Sequence, residues 1–191
     1  MRKIYETISI LLSAPAVAGI VVIIFSLFST KSLGSMSTME SVLIGLIFLS
    51  FVPSAVVLAF ARIYSVKMDI TDREKRTPIF IVTIINYLVS ALIFYTLENH
   101  VMFLLSVSYF VVTLFIMFIN LFWKISVHAA GFSGPFTAIC YVFGGVSFIS
   151  FLLLIPLLYS RYKLGHHTKA QLFSGVLISI FITYLIYFIW W

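Results

Sequence analysis

The sequence predicts an all-α protein, a polytopic bundle of about six to seven membrane helices that includes a short broken hairpin. Three observations carry that expectation. Apolar residues make up 62% of the chain and charged ones 9%, with a mean hydropathy of +1.17, a balance far from that of soluble globular proteins. The apolar residues fall into runs of span length bounded by polar clusters. At roughly 20 residues per crossing, a chain of 191 residues is used up by its spans. The expectation is one membrane-embedded domain over residues 1–191, with no separate soluble unit.

Four runs are long and uninterrupted: Ile8 to Phe28, Val42 to Ala61, Ile79 to Leu97 and Val101 to Phe122. The first follows Arg2 and Lys3 as a secretion signal would. Its apolar run exceeds a signal core and no clear small-residue cleavage site follows, so it reads as a retained helix. Pro15, Pro53 and Pro156 lie inside apolar runs, where neighbouring helices can take up the freed carbonyls. Cys140 is the single cysteine, which excludes an intrachain disulfide.

The stretch from Gly131 to Tyr159 is either one ordinary span or two short helices broken at Gly144-Gly145. A single span puts His128 and His167 on opposite faces, about 30 Å apart. A broken hairpin puts both on one face. Under the hairpin topology every basic residue except Lys31 shares a face, so charge bias favours it, and the positive-inside rule makes that face cytoplasmic in a multi-pass cell-membrane protein. Gln171 to Trp191 forms the last helix, with Trp190 and Trp191 suited to the interfacial belt. The net charge of +6 resides in these rims. It suits anionic lipid headgroups, and no nucleic-acid module is present in the pattern.

Three polar islands then converge on one membrane face. The first, Asp69 to Pro78, joins the second and third spans and is the most charged segment of the chain. Alone it reads as a loop with local ion pairs, but Arg73 and Arg76 have the planar fork that grips phosphate oxygens. In the second, Trp123 to His128, Ser126 can cap the following helix, whose N-terminus offers amides to an anion. The third runs from Ser160-Arg161 to His167, with Thr168 and Gln171 beyond. Two imidazoles and fixed cations recur here where polar groups are costly to bury.

Ser160-Arg161, five residues, His167 and then Gly175 resemble the third signature of the type 2 phosphatidic acid phosphatase superfamily of membrane lipid phosphatases. Ser126-Val127-His128-Ala129 resembles its second signature, and Arg76 near Pro78 resembles the end of its first. The likeness covers roughly Lys67 onward, with the motifs inside residues 67–175, and is similar to a divergent branch of small members. Four positions depart from the pattern. Asp69 falls where the family has a lysine, with Lys67 nearby; Ile125 and Val127 replace a proline and a glycine; and Gln171 stands where the family has an aspartate that orients the nucleophilic histidine.

The resemblance implies a metal-independent phosphatase acting on a lipid phosphate or diphosphate, with no cofactor. His167 would be the nucleophile and His128 the general acid. Arg76, Arg161, Arg73 and Ser126 would hold the phosphate, and Gln171 would orient His167. His166 is expected to be a surface bystander, and His100, on the opposite face beside Glu98 and Asn99, to be structural. A rival reading is a transporter or lipid-binding scaffold on a degenerate phosphatase fold. Asp69 with Asp72 would also suit magnesium diphosphate in a prenyltransferase, but no second aspartate-rich motif follows.

Overall fold

The structure is a computed structural model that describes residues 1–66, 70 and 72–191, with Val146 described by its backbone. Every regular element among those residues is helical: α1 (Arg2–Leu11), α2 (Ala14–Phe28), α3 (Thr38–Leu46), α4 (Val52–Ile63), α5 (Thr77–Thr96), α6 (His100–Phe122), α7 (Val127–Phe143), α8 (Leu154–Lys163) and α9 (Lys169–Trp190). Four continuous helical segments are long and apolar enough to cross a membrane: Thr38–Ile63, Glu74–Thr96, His100–Phe122 and Lys169–Trp190. The bent pair α1 and α2 makes a fifth if counted as one span. The sequence predicts six to seven. The difference lies in α7 and α8, which are shorter than a full crossing.

The first expected span, Ile8 to Phe28, is broken. Pro15 cannot donate to Leu11, and its ring crowds that carbonyl, so α1 stops at Leu11 and α2 restarts after an extended Ser13. The two helices meet at 41°. Ile4, Ile10 and Leu11 of α1 are exposed, whereas Tyr5 packs edge-on against Tyr159 of α8 at 5.9 Å between ring centroids.

A second proline shapes the next element. Between α3 and α4 the helix widens into a π-turn over Ile47–Phe51, where the Val52 amide bonds to Ile47 O. An α-helix would have sent that amide to Phe48 O. The Phe48 carbonyl instead accepts from Asn86 Nδ2 of α5 at 2.7 Å. Ser54 Oγ donates to Ser50 O, and Ser50 Oγ donates to Pro15 O of α2, both at 2.8 Å. Pro53 thus does not merely kink the span. The freed Phe48 carbonyl ties the turn to α5, and the Ser50 hydroxyl ties it to α2.

The hairpin of α5 and α6 packs tightly, with the Ser90 and Ser106 hydroxyls 2.8 Å apart at its centre. Asn99 caps α6, accepting from the Met102 amide at 3.2 Å. After α7 the chain turns at Gly144, whose φ of +61° disfavours a residue with a β-carbon. A 3-10 segment over Gly145–Leu153 leads into α8. The break therefore falls at the glycine pair, and α8 runs back beside α7: Leu154 and Leu158 pack against Ala129, Leu172 and Val176.

Helix α9 lies against α7. A β-carbon on Gly175 would sit 2.7 Å from Ser126 O, so the absent side chain lets the backbones approach. At the far end His100 Nε2 lies 2.9 Å from Trp190 O. Lys31 donates to Trp191 O at 3.1 Å and stands over its indole. His100 thus lies at the end of α9 away from His167.

Candidate active site

Four local features bring the polar islands together. A 3-10 turn over Glu74–Arg76 delivers Arg76 at the start of α5. Ser126 caps α7, its hydroxyl accepting from the Ala129 amide at 3.3 Å, which fixes His128 in the first turn. Helix α8 ends with Arg161 in its last turn. Thr168 and Gln171 form a capping box that starts α9 immediately after His167.

Arg76, His128, His166 and His167 line one cavity of about 760 Å³. Arg76 is 7% exposed. Its Nε donates to Ile70 O at 2.7 Å and its Nη1 to Ile125 O at 3.2 Å, so it links the first island to the second. His167 is 5% exposed. Neither of its ring nitrogens has a hydrogen-bond partner among the described residues.

Burial first, then the positive charges of Arg76, Arg161 and Lys124, hold the His167 imidazolium far below its usual range, to about 3. Gln171 opposes the shift, but its approach to the ring falls short of a formed hydrogen bond. These causes favour the neutral ring, which carries a lone pair, over the imidazolium.

Gln171 has other duties. Its Oε1 accepts from the Thr168 amide at 3.2 Å, while its own amide donates to Thr168 Oγ1 at 3.3 Å. Its carbonyl accepts from the Ser126 amide at 3.3 Å. Ser126 is wholly buried and serves as a cap. Arg161 is also wholly buried and does not line the cavity; it lies behind Ser9 and near enough to His167 to repel a proton.

Arg73 is not brought into the cavity. Its Nη1 donates to Leu121 O at 2.9 Å and its carbonyl accepts from Asn120 Nδ2 at 3.0 Å, so it fastens the first island to the end of α6. Lys67 and Asp69 lie outside the described residues, and with them the pairing of Asp69 with Asp72. Asp72 lies at the cavity rim and 3.5 Å from Lys75 Nζ. Among the described residues no group of three histidine, cysteine or acidic side chains converges as a metal site would require.

Sequence reasoning missed three contributions. Lys124 adds charge beside His167; His166, expected to be a surface bystander, lines the cavity; and α1 supplies a wall through Arg2, Glu6 and Ser9. The spacing of Arg2, Glu6, Ser9 and Ser13 is that of one helix face, a signal that was legible beneath the apolar run. A second, mostly apolar chamber of about 120 Å³ shares Ala14, Pro15, Val57, Ile79, Phe80 and Val127 with the main cavity and reaches Tyr87 and Tyr109 inside the bundle.

No family model, curated protein or solved structure matches the chain.

Proposed function

We propose that the chain is a membrane-embedded, metal-independent lipid phosphatase that cleaves a phosphate or diphosphate monoester through a phosphohistidine. The observation that carries this reading is the buried His167, whose ring nitrogens have no hydrogen-bond partner among the described residues, in a cavity shared with His128 and Arg76. A nucleophile for phosphorus needs a free lone pair, and the cations that depress its basicity would also attract an anionic substrate.

In the proposed reaction an imidazole nitrogen of His167 attacks phosphorus. The N–P bond forms at the terminal phosphorus as its bond to the bridging oxygen breaks, and His128 gives its proton to that oxygen, which departs on the lipid alcohol or, from a diphosphate, on the lipid phosphate. Arg76 neutralises charge on the equatorial oxygens, with Arg161 and Lys124 contributing field from behind. Water then attacks the phosphohistidine, His128 takes its proton, and phosphate leaves with His167 restored. Ser126 and Gln171 act by fixing the starts of α7 and α9. The cytoplasmic face is the reading that charge bias supports for this site.

The apolar chamber that shares a wall with the cavity supports an amphiphilic substrate, whose tail would extend inward from the phosphate. The test is phosphate release by purified protein in lipid nanodiscs with a metal chelator, from polyprenyl diphosphates, polyprenyl phosphates and phosphatidates. Release that vanishes in His167→Ala supports the reading. Equal release by that variant, or none by well-folded wild type, would sink it.

A second reading rests on Gln171, whose side-chain oxygen is engaged in the helix cap rather than in a relay to His167. A phosphate-binding scaffold would bind orthovanadate and turn over nothing.

A further inference from the structure

Helix α1 carries an apolar side toward the surroundings and polar residues toward the cavity, the pattern of a helix lying in a membrane interface. Among those polar residues, Ser9 makes a contact across 152 positions of sequence: its Oγ accepts from Arg161 Nη1 at 2.8 Å. Both side chains are at least 95% buried, Ser9 at 5% exposure and Arg161 at 0%. A buried guanidinium is costly unless its charge is met by hydrogen bonds. Ser9 meets part of that need.

The direction of this hydrogen bond decides what Ser9 can do next. A hydroxyl has one hydrogen to give as well as lone pairs to receive with. Ser9 Oγ receives from Arg161, and among the described residues no acceptor takes its hydrogen. The residue also lines the cavity that holds His128 and His167, whereas Arg161 does not. The hydroxyl therefore stands between a buried cation and the open site. Donation by a polarised hydroxyl is strengthened when the same oxygen accepts from a charged group.

We propose that Ser9 is a phosphate-binding residue, supplied by the N-terminal helix, that donates its hydroxyl hydrogen to an equatorial oxygen and carries the charge of Arg161 to the substrate. This rests on the phosphatase reading for the identity of the bound group. It gives α1 a place in the site. The bend at Ser13 becomes the joint that turns Ser9 inward, since a straight helix through Pro15 would carry α1 along the α2 axis instead.

The test compares Ser9→Ala, Ser9→Thr and Ser9→Val in the full chain. Threonine and valine have nearly the same shape and differ in the hydroxyl, so their comparison separates hydrogen bonding from packing. Two readouts are taken on each: the dissociation constant for orthovanadate, and kcat and KM on the best lipid phosphate. The alanine and valine variants are expected to weaken vanadate binding about tenfold and to lower kcat more than they raise KM, with threonine close to wild type.

Unchanged vanadate binding in Ser9→Ala overturns the proposal. So does equal behaviour of the threonine and valine variants, which would make the effect one of shape. Wild-type protein that binds vanadate but releases no phosphate from any lipid defeats the phosphatase reading alone, and the threonine–valine difference in binding still decides the role of Ser9. No vanadate binding by folded wild type defeats both.

Discussion

The carbonyl of Gln171 accepts a hydrogen bond from the amide of Ser126 at 3.3 Å, joining the first turn of α9 to the cap of α7. One backbone contact thus sets the distance between His128 and His167, which follow Ser126 and precede Gln171 by two and four positions. The Gln171 side chain completes the capping box with Thr168. Its placement is governed by the helix start as much as by the neighbouring imidazole.

Gln171→Glu should therefore outperform Gln171→Asp. A glutamate fits the reciprocal cap and places a carboxylate where Gln171 already favours the imidazolium, raising the basicity of His167 and, with it, turnover. Aspartate is one methylene shorter and gives up the bond to the Thr168 amide. Alanine should lower stability by about 1 kcal/mol through loss of the cap. Thermal unfolding and initial rates on the three variants measure both effects, and a rate unchanged by glutamate would mean that the relay to His167 does not limit the reaction.

Protonation of His167 should also appear in the stability of the fold. The unfolded chain takes up this proton near pH 6.5, whereas the folded ring resists it until about 3. Its folded value is depressed, so the contribution is complete above pH 6.5 and is lost as pH falls through that window. The slope is at most about 1.4 kcal/mol per pH unit for one group. Denaturation of wild type and His167→Asn at pH 7 and pH 4.5 should show a larger acid loss in wild type; parallel losses would contradict a buried neutral ring.

Gly175 tests the close approach of α9 to α7. A methyl group there meets Ser126 O at 2.7 Å and the Ala129 side chain at 3.3 Å, and the first of these partners is backbone that cannot rotate away. Gly175→Ala should cost about 1 to 3 kcal/mol as the helices separate. The separation also moves His167 relative to His128, so orthovanadate affinity should fall with stability. Affinity that survives the loss of stability would show that the two motifs hold their geometry without this packing.

Much of the architecture was legible from hydropathy, because spans α5, α6 and α9 are long apolar runs, each with a charged residue next to at least one end. The glycine pair at 144–145 marked the hairpin for a backbone reason that sequence carries directly. The break in the first span was harder to see. Apolarity continues through Leu11 to Pro15, and only the carbonyl clash four residues before the proline divides it. The site was legible in its parts and not in their depth. Arg73, Arg76 and Arg161 are alike as residue types, but Arg73 is turned to Leu121 O, Arg76 faces the cavity and Arg161 is buried behind Ser9. Those differences arise from contacts between segments remote in sequence, to which local pattern is blind.

The π-turn makes a last prediction, because its stability depends on a side chain from another helix. Widening at Ile47–Phe51 releases Phe48 O from the α-helical ladder, and Asn86 Nδ2 meets it at 2.7 Å. In a membrane an unpaired carbonyl has no water to turn to. Asn86→Leu should therefore destabilise the protein by about 1 to 3 kcal/mol, even though it replaces a polar residue by an apolar one within a span. Pairing it with Pro53→Ala, which lets the local helix regain its ordinary bonding, should return much of that loss. Unfolding measured for both single variants and the pair gives the coupling directly; strictly additive effects would mean that Asn86 is not there to serve the turn that Pro53 creates.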